Sequence, residues 1–265
     1  MGPELKRIKR RKKTKDKLNE LYEKSETVLI IHYSCESFYD RPNGKTPRIT
    51  SIAVRNLSSG QTESFSIHKI AELKGLPPQN IPQEYDSLEK EMLDEYFNFV
   101  QSHQGHYWVH WNMRDINYGF QAIEHRYRIL NGEPIKVEEA NKFDLARALI
   151  AIYGIGYIGH PRLQKLILKN KITDIGFLNG QQEADAFESG DYVKLHQSTL
   201  RKVDILPNLF ERTIDESLKT NARWKDIYGA SPVIIGEIIK EHWVFSLLGL
   251  VAIFFGIVTG IAFFF

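Results

Sequence analysis

Apolar residues recur at two spacings along this chain. "TVLIIHYSCESF" (27–38) is a near-continuous apolar, β-rich run and predicts a buried strand. "RITSIAVRNLSSGQTESFSIH" (48–68) alternates apolar and polar positions on either side of "SSGQ", which predicts two antiparallel strands joined by a turn. "LEKEMLDEYFNFVQSHQG" (88–105) has helical spacing and closes near Gly105. "HYWVHW" (106–111) predicts a short strand, and "RDINYGFQAIEHRYRILNG" (114–132) a helix ending at Asn131-Gly132. "KFDLARALIAIYG" (142–154) begins as a strand and continues as a helix; "HPRLQKLILKN" (160–170) and "LHQSTLRKVDILPNLFERTIDESLKT" (195–220) are helical. The order predicts an α/β fold with antiparallel strands preceding parallel ones in a mixed sheet flanked by helices.

Both ends break this pattern. "KRIKRRKKTKDK" (6–17) is a block of like charge. It predicts a solvated arm over 1–25, with "LNELYEK" closing a short helix from Leu18; its functional readings are attraction to phosphates or to an anionic membrane face. At the other end, residues 243–265, "WVFSLLGLVAIFFGIVTGIAFFF", hold no charged side chain and are long enough to cross a bilayer as a helix. Trp243 stands where an interfacial anchor is expected, and every Lys and Arg precedes the run. The expectation is a single-pass, tail-anchored protein of the inner (plasma) membrane, its soluble part cytoplasmic. Residues 223–242 predict a linker and an amphipathic helix starting at Ser231-Pro232. Gly249, Ala252, Gly256 and Gly260 form a small-residue stripe, which predicts a homo-oligomer.

Composition adds two limits. The 265 residues carry a net charge of only +2, so the basic block is a local feature. Cys35 is the one cysteine, which rules out an intrachain disulfide and suits a reducing compartment. No apolar stretch follows the basic N-terminal block, so the pattern of a secretory signal is missing.

Four short stretches carry candidate chemistry. Ser34 and Glu36 lie at the end of the first strand; "HWNMRD" offers Asn112 and Asp115 after a later strand; "KFDLARAL" offers Asp144; "STLRKVDIL" offers Thr199 and Asp204 on a late helix. In their order over roughly residues 26–215, within an expected domain of 26–222, these stretches resemble the ribonuclease H-like DEDD 3′–5′ exonucleases. The resemblance implies a ribonuclease H-like mixed sheet and a metal site at Glu36, Asp115 and Asp204. It also implies what is missing. The family's first Asp is Ser34, and a hydroxyl is a poor ligand for a hard cation. The family's general base falls at Thr199, its tyrosine variant at Leu200, and His196 lies two helical turns from Asp204. Hydrolysis by two metals needs both ions clamped at the phosphate.

The expectation is therefore a catalytically dead exonuclease-like domain with no cofactor. It would bind a single-stranded nucleic acid or oligonucleotide in the old groove, lined by Ser34, Glu36, Phe38, Trp111, Asn112, Asp115, Lys194, His196, Thr199, Arg201, Lys202 and Asp204. Aromatic side chains would stack bases and the late-helix cations would meet phosphates. In organisation the chain resembles membrane effectors of bacterial anti-phage defence, which implies a membrane-perturbing oligomer and a nucleotidyltransferase partner as ligand source. Two alternatives stand: a surviving exonuclease dependent on Mg or Mn, with Asp40 replacing the lost Asp, and a tail-anchored interaction scaffold.

Overall fold

A computed structural model describes residues 2–36, 46–115, 117–223, 227, 247–249, 251 and 253. Its centre is a five-stranded sheet of β1 (Val28–Cys35), β2 (Ile49–Asn56), β3 (Thr62–Ser66), β4 (Tyr107–His110) and β5 (Lys142–Asp144), in the order β3-β2-β1-β4-β5. The first three strands are antiparallel, with Ser34 opposite Ser51, while β4 and β5 add in parallel to β1. The α/β reading with antiparallel strands before parallel ones therefore holds.

β1 is buried at all eight positions because helices cover both faces of the sheet. Leu29, Ile31, Tyr33 and Cys35 enter a core with α3 (Tyr85–Ser102) and α4 (Phe120–Ile129). Val28 and Ile30 enter the opposite core with α5 (Leu145–Tyr153), α6 (Arg162–Lys169) and α8 (Tyr192–Ile214). The strand's alternation puts His32 and Ser34 on the side of Val28 and Ile30. Polar side chains thus occupy the C-terminal half of an otherwise apolar face.

Three local elements depart from the sequence pattern. The basic block is not an arm ahead of a short helix: α1 is continuous over Pro3–Glu23. Its Leu18 and Leu21 are 1% and 0% exposed and belong to the α5–α8 core. Lys15 pairs with Glu216, and Lys17 lies 4.4 Å from the centroid of the Tyr107 ring. The second departure lies between β3 and α3, where α2 (Ile67–Leu73) takes over two residues of the expected third strand. The third is α7 (Gly180–Glu188), started by a reciprocal capping box between Asn179 and Gln182.

Among the described residues no helix is long and apolar enough to cross a membrane. Most of the predicted span, with Ala252, Gly256 and Gly260, lies outside the described residues, as do Phe38 and Asp40; Gly249 is described, within a helical stretch.

Candidate functional site

α8 packs across β1 and β2 and brings its middle turns over the polar end of β1. Thr199 Oγ1 lies 2.7 Å from the hydroxyls of both Ser34 and Ser51, and 3.0 Å from the carbonyl oxygen of Leu195. Ser34 Oγ donates to Glu183 Oε1 at 2.9 Å, and Ser198 Oγ donates to the same oxygen at 3.0 Å. Lys202 Nζ reaches it at 2.6 Å. Each hydroxyl holds one proton and the Leu195 carbonyl can only accept, so the Thr199 proton serves either Leu195 or Ser34, while Ser34 donates to Glu183. Ser34, Ser51, Ser198 and Thr199 are all buried, and the Lys202 and Glu183 side chains are 7% and 14% exposed.

Local structure fixes each member. Glu183 stands in the first turn of α7, where the helix dipole favours a carboxylate. Ser198, Thr199 and Lys202 are spaced to share one face of α8. Lys202 also lies 5.4 Å from the centroid of the Phe177 ring. Close by, Tyr118 stacks on Tyr33 at 4.6 Å between centroids, donates to the Tyr33 carbonyl at 3.2 Å and lies 3.4 Å from His32 Nδ1. Burial, helped by the charge of Lys202, holds the His32 imidazole well below its ordinary pKa, so it is neutral at neutral pH.

The remaining predicted residues sit apart from this network. Glu36 accepts from Arg48 Nε at 3.2 Å and from the Arg48 amide at 3.3 Å. Asp115 does not open a helix. It lies in a turn five residues before α4, where its carboxylate accepts from the Asn117 amide. The turn is held by a bridge between Arg114 and Gly119; any Cβ at Gly119 would lie 2.7 Å from the Met113 carbonyl carbon. Asn112 has φ +58°, a conformation Asn tolerates, and its amide donates to Asp144 at 3.3 Å. Asp144 also binds Arg114 at 2.5 Å and caps α5. His110, pushed down to about 4 by burial despite the Asp144 charge, accepts from the Met113 amide.

Asp204 is not at the Ser34 end of the sheet. It is exposed, pairs with Arg201 and lies 3.8 Å from Arg55. Arg55 is four residues along β2 from Ser51, about 13 Å at strand spacing. The charged α8 side chain at the Ser34 end of the sheet is Lys202. Arg201 donates to the Thr173 carbonyl as well as to Asp204, Lys194 is exposed, and Trp111 packs partly buried on the α5–α8 core. His196 is buried, 3.5 Å from His68 Nε2, and burial with the neighbouring imidazole lowers it to about 4.

Among the described residues no three His, Cys, Asp or Glu side chains cluster as metal ligands. A hydroxyl chain ending on a carboxylate–ammonium pair can hold and orient protons, but it offers a divalent cation one carboxylate already bound by an amine. Sequence reasoning missed His32, Ser51, Tyr118, Glu183 and Ser198. The signal for Glu183 was the Asn179-to-Gln182 spacing, which marks a helix start at Gly180, three residues before it.

Comparison with protein-family models, with curated proteins and with solved structures finds no match.

Proposed function

We propose that this chain is a ribonuclease H-like, exonuclease-derived domain that no longer hydrolyses. In this reading it binds a single-stranded oligonucleotide without metal and is held at the membrane by residues 243–265. There it controls an oligomeric, membrane-perturbing assembly in anti-phage defence. The strand order β3-β2-β1-β4-β5, with a late helix over β1 and β2, supports the fold. The observation that carries the loss of catalysis is the Lys202–Glu183–Ser34 contact. An ammonium there supplies positive charge and three donors, but no open coordination position to lower the pKa of a water or polarise a phosphoryl oxygen. The apolar run of 243–265 supports the membrane attachment.

The test uses the full-length chain and a labelled single-stranded oligonucleotide. The strand is expected to stay intact with Mg or Mn. It should be retained by the protein in chelator, with affinity falling as salt rises. Nucleotide release that requires metal and is lost on Glu36→Gln would restore the exonuclease reading.

One observation favours the scaffold as a second reading. Arg201 and Lys202, the cations expected to meet phosphates, are committed to internal partners. Lys194 remains exposed on α8. If no oligonucleotide binds at low salt, the scaffold replaces the sensor.

A further inference from the structure

The N-terminal half of α1 carries an exposed cationic face. Lys6, Lys9, Arg10 and Lys13 are exposed and follow i, i+3, i+4, i+7 spacing, with Lys12 exposed beside them. Only Asp16 offsets them among residues 5–19. The helix is held from its other half, through buried Leu18 and Leu21 and the pairing of Lys15 with Glu216. Glu216 belongs to the segment that leaves α8 toward the C-terminus, so α1 is tied to the chain leading to the apolar run.

We infer that this face of α1 docks on an anionic phospholipid surface. The occupant is chosen by chemistry. Like charges at helical spacing match a plane of headgroup phosphates. A single nucleic-acid strand is usually gripped by aromatic stacking as well, and the one aromatic residue of α1, Tyr22, lies at its far end. Docking would fix the domain's tilt and hold β1 and α8 at a set orientation to the bilayer. This inference rests on the membrane attachment proposed above.

The test keeps the full-length chain. Lys9→Cys is labelled with a fluorophore, Cys35 being buried in the core, and vesicles carry a headgroup quencher. Vesicles of phosphatidylcholine with phosphatidylglycerol should quench the probe several-fold more than phosphatidylcholine alone. The difference should vanish in 1 M salt, where the Debye length is about 3 Å. It should also vanish in Lys6→Glu, Arg10→Glu, Lys12→Glu, Lys13→Glu, whose unchanged circular dichroism would show the fold intact. Equal quenching on both lipids, or quenching that survives the charge reversal, overturns the inference. So does a response to single-stranded DNA with none to the anionic vesicles. Flotation with pure phosphatidylcholine vesicles at high salt reads the apolar run alone. Failure there removes the attachment proposal, while anionic vesicles added to the soluble chain still test α1.

Discussion

Ser34 and Lys202 meet on one atom: Glu183 Oε1 accepts from the Ser34 hydroxyl at 2.9 Å and from the Lys202 ammonium at 2.6 Å. The ammonium lends the carboxylate the charge that a bound cation would lend it. The pair is nearly buried, so each partner depends on the other for its solvation.

Removing Lys202 is therefore expected to hurt more than removing both partners. Lys202→Met leaves a desolvated carboxylate and should cost about 3–5 kcal/mol. Lys202→Met with Glu183→Gln should recover most of that, since a neutral amide still accepts from Ser34 and Ser198. Denaturant unfolding measures both. A double variant no more stable than the single would mean that the pair does not carry the coupling described.

The basic helix makes a second prediction. Leu21→Ala in α1 should destabilise the whole domain by about 2–5 kcal/mol, the range for a buried leucine. Thermal unfolding of the full chain is the measurement. A change within experimental error would return α1 to the status of an independent arm.

What the sequence made legible follows from burial. β1 could be read because helices cover both faces, so its residues form one apolar run. α1 could not, because among its described side chains only Leu18 and Leu21 are buried apolar anchors amid charge. α7 was hidden by a polar composition whose capping box was the one cue. At the site, Ser34 and Thr199 were found by position along the chain, but helical phase decided the rest. From Thr199, Lys202 is three residues on and shares its face. Asp204 is five on, at about 140° around the helix. Motif spacing in a sequence does not contain that angle until the helix is docked.

Acid should unfold the domain through its buried imidazoles. His110 and His196 are lowered to about 4 by burial, and burial holds His32 well below its ordinary 6.5. Between pH 6.5 and 4 the unfolded chain then binds more protons than the folded one, so stability rises with pH. It is fully present above 6.5 and is lost as pH falls toward 4, by about 1.4 kcal/mol per pH unit for each such histidine. Glu89, raised from 4.5 to about 6 by burial against the pull of Arg126, opposes this between those two values. Three histidines against one carboxyl leave a net loss. Unfolding midpoints across pH 4–7 should show it, and His196→Phe should flatten the slope. A flat profile for the unmodified chain would contradict the buried neutral state of these rings.

Carboxylates in place of Ser34 and Lys202 would show whether the surroundings of Glu183 can hold a cation. Ser34→Asp with Lys202→Asp would place two new carboxylates beside Glu183, where one oxygen already gathers Ser34, Ser198 and Lys202. Three like charges at a nearly buried point repel one another, so the double variant should be less stable than the natural chain in chelator. A hard divalent cation relieves that repulsion and prefers anionic oxygen ligands. Binding to the folded state alone adds stability by mass action, about 2.7 kcal/mol at a hundredfold excess over Kd. Mn or Mg should therefore raise the unfolding midpoint of the double variant and leave that of the natural chain unchanged. If the variant is unfolded in chelator, its refolding on adding Mn, followed by circular dichroism, reads the same linkage with larger amplitude. A double variant indifferent to both ions would mean that the geometry around Glu183 does not suit a cation, and would count against the exonuclease ancestry proposed above.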